Sequence, residues 1–117
     1  MMGFTFYFGK NLTPSEIEEM VNNAILENGL ERYRTMKTPQ LLDVPGRSVT
    51  EYVSHLVNPL SVGIPERPQY ERGYDVTLTF RPHNFTTEEQ EREYSTFMNN
   101  LRSTLDNLAR ETREHSL

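Results

Sequence analysis

With 117 residues, 17 acidic against 12 basic side chains, a formal net charge of −5 and a sequence pI near 5.2, the chain has no general electrostatic grip on nucleic acid or anionic lipid. It contains no cysteine, which removes disulfides, thiolate metal sites and cysteine nucleophiles together and fits a reducing, cytoplasmic setting. Nowhere do about 18 apolar residues run together, and Met1-Met2-Gly3-Phe4 has neither a basic region nor a cleavage-like site, so no membrane span and no secretory signal are expected.

The length suits a single domain over 1–117. Hydrophobic residues make up 35% and mean hydropathy is −0.69, low for a monomer that must offset its own chain entropy by burial, so the composition points to a core shared between copies. Phe4-Thr5-Phe6-Tyr7-Phe8 alternates strictly, as a half-buried strand does. Thr13-Pro14-Ser15-Glu16 then supplies a cap hydroxyl, a proline at the first helical position and a carboxylate three residues after the cap. Ile17, Met20, Val21, Ala24 and Ile25 form one helical face, and Asn28-Gly29 ends it.

Leu30 to Arg47 fits neither period for long and has room for one short strand. Ser48-Val49-Thr50-Glu51 repeats the capping pattern, and Val49, Tyr52, Val53, Leu56 and Val57 follow at helical spacing, so a short helix over 49–57 is expected, stopped by Asn58-Pro59. Pro59, Pro65 and Pro68, with Gly63 among them, predict a long loop from Pro59 to Gly73 with little regular pairing. Tyr74-Asp75-Val76-Thr77-Leu78-Thr79-Phe80 is a second clear strand. Phe85 then sits as a staple residue ahead of Thr86-Thr87-Glu88-Glu89, read as a cap at Thr86 answered by Glu89.

The run Thr86 to Glu114 has no proline or glycine and predicts a helix of roughly 40 Å at 1.5 Å per residue. Its stripe Tyr94, Phe97, Met98, Leu101, Leu105 and Leu108 must be buried, and a helix longer than so small a chain needs assigns that stripe to an oligomer interface. Two clear strands do not make a stable sheet, so either the middle adds a strand or an edge pairs across a two-fold axis. The expected fold is α+β: a small antiparallel or mixed sheet covered on one face by two main helices, the C-terminal one long.

No G-x-S-x-G, H-E-x-x-H, P-loop or dinucleotide fingerprint occurs, and His55, His83 and His115 have no metal-motif spacing, so neither catalysis nor a metal or cofactor is expected. The most suggestive cluster is Arg67, Tyr70, Arg72, Tyr74, Arg81 and His83, with Arg47 beside Gly46 and Ser48 at the expected helix N-terminus. Arginine forks and tyrosine faces suit a protein interface, and equally a nucleotide-like anion. These features predict a non-catalytic, accessory or inhibitor-like interaction protein that acts as a homo-oligomer through its Arg/Tyr/Pro-rich loop and the Arg81–Phe85 turn. The alternative is a sequestering protein that holds a small anionic, nucleotide-like ligand at a subunit boundary.

Overall fold

The computed structural model describes residues 2–28, 36–39, 46–53, 60–81 and 85–115. In chain order these form β1 (Met2–Phe8), α1 (Pro14–Asn28), β2 (Met36–Pro39), β3 (Arg47–Val53), β4 (Leu60–Pro65), β5 (Tyr74–Phe80) and α2 (Glu88–His115). The strands make one five-stranded sheet in the order β1-β5-β4-β3-β2, and every neighbouring pair is antiparallel. Strands β2 to β5 are thus a meander, and β1 joins it beyond β5. The fold is α+β, with both helices on one face and the long C-terminal one over β1.

The alternation in the sequence becomes the two faces of the sheet. Phe4, Phe6 and Phe8 stand opposite Leu78, Val76 and Tyr74 on the helix side, while Gly3, Thr5 and Tyr7 stand opposite Thr79, Thr77 and Asp75 on the open side. Helix α1 begins as its capping box dictates: the Glu16 N–H donates to Thr13 Oγ1 at 3.2 Å and the Thr13 N–H donates to Glu16 Oε1 at 3.1 Å. It crosses the meander, where the Tyr52 hydroxyl donates to Asn22 Oδ1 at 3.2 Å, and it meets α2 where the Asn28 amide donates to Thr104 Oγ1 at 3.3 Å.

Helix α2 starts one residue later than the sequence reading places it. The cap is Thr87, whose Oγ1 accepts the Gln90 N–H at 3.2 Å, and the Thr86 hydroxyl is turned to Gln90 Oε1 instead. Thr87-Glu88-Glu89-Gln90 is itself a capping-box sequence, so the pattern permits both frames. Phe85 therefore packs beyond the staple position, against Tyr94, with ring centroids 5.2 Å apart.

Two expectations about the middle are overturned. The segment read as a short helix over 49–57 is the strand β3 as far as Val53, and 54–57 lie outside the described residues. Val49, Thr50, Tyr52 and Val53 are β-branched or aromatic residues that suit a pleated surface. Pairing with β4 on one side and β2 on the other decides in favour of the strand, against a local spacing compatible with a helix. The expected loop from Pro59 to Gly73 contains β4, the central strand of the sheet. Pro65 is tolerated because it is the last residue of that strand, and a short 3-10 turn at Tyr70–Arg72 leads into β5.

The third correction concerns α2. Tyr94, Phe97, Met98, Leu101 and Leu105 are buried in this chain's own core, with Leu108 packed at its margin, so the stripe assigned to an oligomer interface covers the chain's own sheet. The buried positions of the helix run from Tyr94 to Ala109, so its central turns are engaged with this chain's own core. Each fully buried Leu, Ile or Phe stabilises by about 1.5–3 kcal/mol, and Phe8, Ile17, Ile25, Leu78, Leu101 and Leu105 are all in that class. The shortage of strands and of core that pointed to a second copy is absent.

Candidate functional site

The residues singled out from the sequence do not gather at one place. Arg47 and Arg67 line a cleft of about 400 Å³ with Gly46, Pro65, Glu66, Gln69 and Asp75. Arg72 lines a different cleft of about 420 Å³, with Gly9, Lys10, Glu71, Gly73, Arg113 and Glu114. Arg81 is exposed past the far end of β5, seven strand residues and so roughly 20 Å from Arg72. Tyr70 sits in the 3-10 turn with its side chain outside the described residues, as are His83, His55 and most of the Arg81–Phe85 turn. No helix follows Gly46, since Arg47 opens a strand, and the expected helix-dipole anion site is therefore missing there.

Within the first cleft Arg47 is already engaged. Its Nη2 is 2.7 Å from Asp75 Oδ2 and its Nη1 donates to the Asp75 carbonyl at 3.1 Å. Glu66 and Asp75 offset the charge of Arg47 and Arg67, so the described lining of the cleft has no net positive charge. Asp75 Oδ1 is buried and has no hydrogen-bond partner among the described residues. Among those residues, no group of three His, Cys, Asp or Glu side chains is placed to hold a metal ion, and no helix is long and apolar enough to cross a membrane.

Among the described residues the one strongly displaced titration belongs to Tyr52, which burial first and the Glu18 carboxylate second push up to about 12. Tyr52 is 2% exposed and packs beneath α1, so this shift reports on the core and marks no reactive centre.

The feature that local sequence patterns do not reveal is the outer side of β1. In an antiparallel ladder alternate residues face the neighbour. The Leu78 carbonyl lies in the β1–β5 seam beside Gly3, and the Phe8 carbonyl points at Gly73, so the even-numbered residues of β1 pair with β5. Gly3, Thr5 and Tyr7 direct their main-chain groups outward. Helix α2 closes the far end of this edge: Arg113 donates to the Tyr7 carbonyl, and the Gly9 N–H donates to Thr112 Oγ1 at 2.9 Å. Gly3 and Thr5 are exposed, and their outward groups meet no partner among the described residues. The seven residues of β1 include no charge and no proline, the usual devices that keep an edge from pairing. That composition was the available signal, but the strand's position at an edge was not.

Comparison of the chain with protein-family models, with curated proteins and with solved structures finds no match.

Proposed function

We propose that this is a non-catalytic interaction protein, accessory or inhibitor-like, that works as a homo-oligomer, and that its contact surface is the outer side of β1 with the adjoining open face of the sheet. The observation that carries this reading is the unblocked edge: outward donors and acceptors at Gly3 and Thr5 on an uncharged strand held rigid by β5 and α2. Unpaired main-chain groups on a fixed strand are a template for adding another strand. The Arg/Tyr cluster is a weaker surface for the purpose, because its arginines are dispersed over the molecule.

A second reading keeps one observation in its favour. Arg47 and Arg67 do share a cleft, and a small anion bound there would make the protein a sequestering one, with Arg67 its freer cation. Native mass spectrometry of the full chain, purified from a cell that expresses it, separates the two. A bare discrete oligomer supports the interaction reading. Extra mass of a small molecule, lost on denaturation, supports the sequestering one, and a bare monomer at every concentration overturns the homo-oligomer.

A further inference from the structure

We infer that two copies of the chain pair through β1, antiparallel about a two-fold axis at Thr5, so that two five-stranded sheets become one continuous sheet. The inference rests on the homo-oligomer reading and names the surface and register it uses.

Register follows from which main-chain groups of β1 point outward. Only Gly3, Thr5 and Tyr7 face outward. An axis at Thr5 sets Thr5 against the partner's Thr5 and Gly3 against the partner's Tyr7, so every outward N–H meets an outward C=O. Moving the axis to Phe4 or Phe6 leaves one of the three residues with nothing opposite it in β1. Arg113 already donates to the Tyr7 carbonyl, whose second lone pair serves the partner's Gly3. Glycine brings no side chain into the space that the guanidinium occupies.

Side chains agree with that register on both faces. On the open face two threonines lie side by side and the Tyr7 ring, 39% exposed, covers a glycine, both favourable cross-strand pairs. On the helix face Phe4 lies beside the partner's Phe6 and Met2 beside the partner's Phe8, which covers the half-buried Phe4 and the 54% exposed Met2. No residue from Met2 to Phe8 is charged, so a chain of net charge −5 brings no like charges together along this seam.

The helices are complementary at the same axis. Arg102 stands over the Phe4 ring at 4.7 Å and Thr112 beside Gly9. At about 1.5 Å per helical residue against roughly 3.4 Å per strand residue, the axis through Thr5 passes between Arg102 and Asp106. Both are exposed, one helical turn apart on α2, and the two-fold brings each toward the opposite charge of the partner.

The test uses the absence of native cysteine. Facing residues of a hydrogen-bonded antiparallel pair have Cα atoms about 5.5 Å apart, within disulfide reach. Thr5→Cys under mild oxidation is therefore expected to give a covalent dimer almost completely, while Leu26→Cys on exposed α1 gives only collisional background. Thr5→Lys, which sets like charges face to face, is expected to convert the native dimer to monomer with unchanged circular dichroism. If the wild type is oligomeric but Thr5→Cys links no better than Leu26→Cys, or Thr5→Lys stays oligomeric, the β1 seam is wrong and the homo-oligomer stands. If the wild type is monomeric and Thr5→Cys does not link, both are wrong.

Discussion

Arg47 and Asp75 are joined across a strand that separates them. Arg47 is on β3 and Asp75 on β5, with β4 between. Arg47 faces Pro65 in the β3–β4 ladder, and the β4–β5 register, carried on from Gly63↔Thr77, puts Pro65 opposite Asp75 as well. A proline has no N–H to give to the Asp75 carbonyl. The Arg47 guanidinium supplies the missing donor and takes the carboxylate with its other nitrogen. Gly63 helps it pass, since the nearest Arg47 atom is 3.7 Å from where a Cβ on Gly63 would stand.

Removing that donor exposes the defect it repairs. Arg47→Ala leaves a carbonyl and a mostly buried carboxylate unpaired, and is expected to cost about 1.5–3 kcal/mol in urea unfolding. Pro65→Ala restores an N–H opposite the carbonyl. The Arg47→Ala/Pro65→Ala double variant should therefore be more stable than the sum of the single changes predicts; strict additivity would show that the two do not share the carbonyl.

Alkaline stability should reveal Tyr52. Unfolded, its phenol releases the proton near 10; folded, it holds the proton to about 12. The folded state thus keeps a proton that the unfolded state has lost. The stabilisation is fully present below pH 10 and declines as pH rises from 10 to 12. Tyr52→Phe should flatten that part of the profile and, by losing the bond to Asn22, cost about 1 kcal/mol at neutral pH. An unchanged alkaline slope in the variant would assign it to other groups.

Gly73 is set for glycine alone. Its φ of 79° and ψ of −149° fall where other residues are strained, and a Cβ there would run into the Phe8 carbonyl oxygen. Gly73→Ala should cost more than about 2 kcal/mol by thermal or urea unfolding, whereas Gly46→Ala, with φ 76° but open space around it, should cost about 1 kcal/mol. Equal losses would mean that backbone strain acts without the clash.

Leu105 tests what α2 covers. It is 1% exposed inside the chain's own core. Leu105→Ala should cost about 2–5 kcal/mol, and should cost the same in a Thr5→Lys background that remains monomeric. A loss seen only in the oligomer would return the stripe to an intersubunit role.

The legible parts of the sequence were those whose local signals agree with one another. In β1, α1, β5 and α2 the period, caps and breakers all point the same way. In β3 they conflict: Val49, Tyr52 and Val53 satisfy a helical spacing, and Ser48 with Glu51 imitates a capping box, so only the pairing partners on either side decide. In β4 the inward Leu60, Val62 and Ile64 were hidden by prolines and a glycine, although Pro65 ends the strand and Gly63 makes room above it. Of the expected site, Arg47 and Arg67 do share a cleft, because Gly46 and Glu66 are hydrogen-bonded neighbours at one end of the sheet. Arg72 and Arg81 read as a cluster because they are near in sequence, but an extended strand carries near residues far apart.

The order of the strands also sets a schedule for synthesis. Strand β1 is made before its ladder partner β5, which follows only after α1 and the rest of the meander, and the hydrogen bond from Gly9 to Thr112 spans 103 residues. The meander can form from contacts between consecutive strands, whereas β1 must wait for nearly the whole chain. Throughout that interval an uncharged, aromatic-rich strand is without its cover. A chain made only as far as Glu88 therefore presents the Phe4, Phe6 and Phe8 face of β1 without the helix that packs on it in the folded protein.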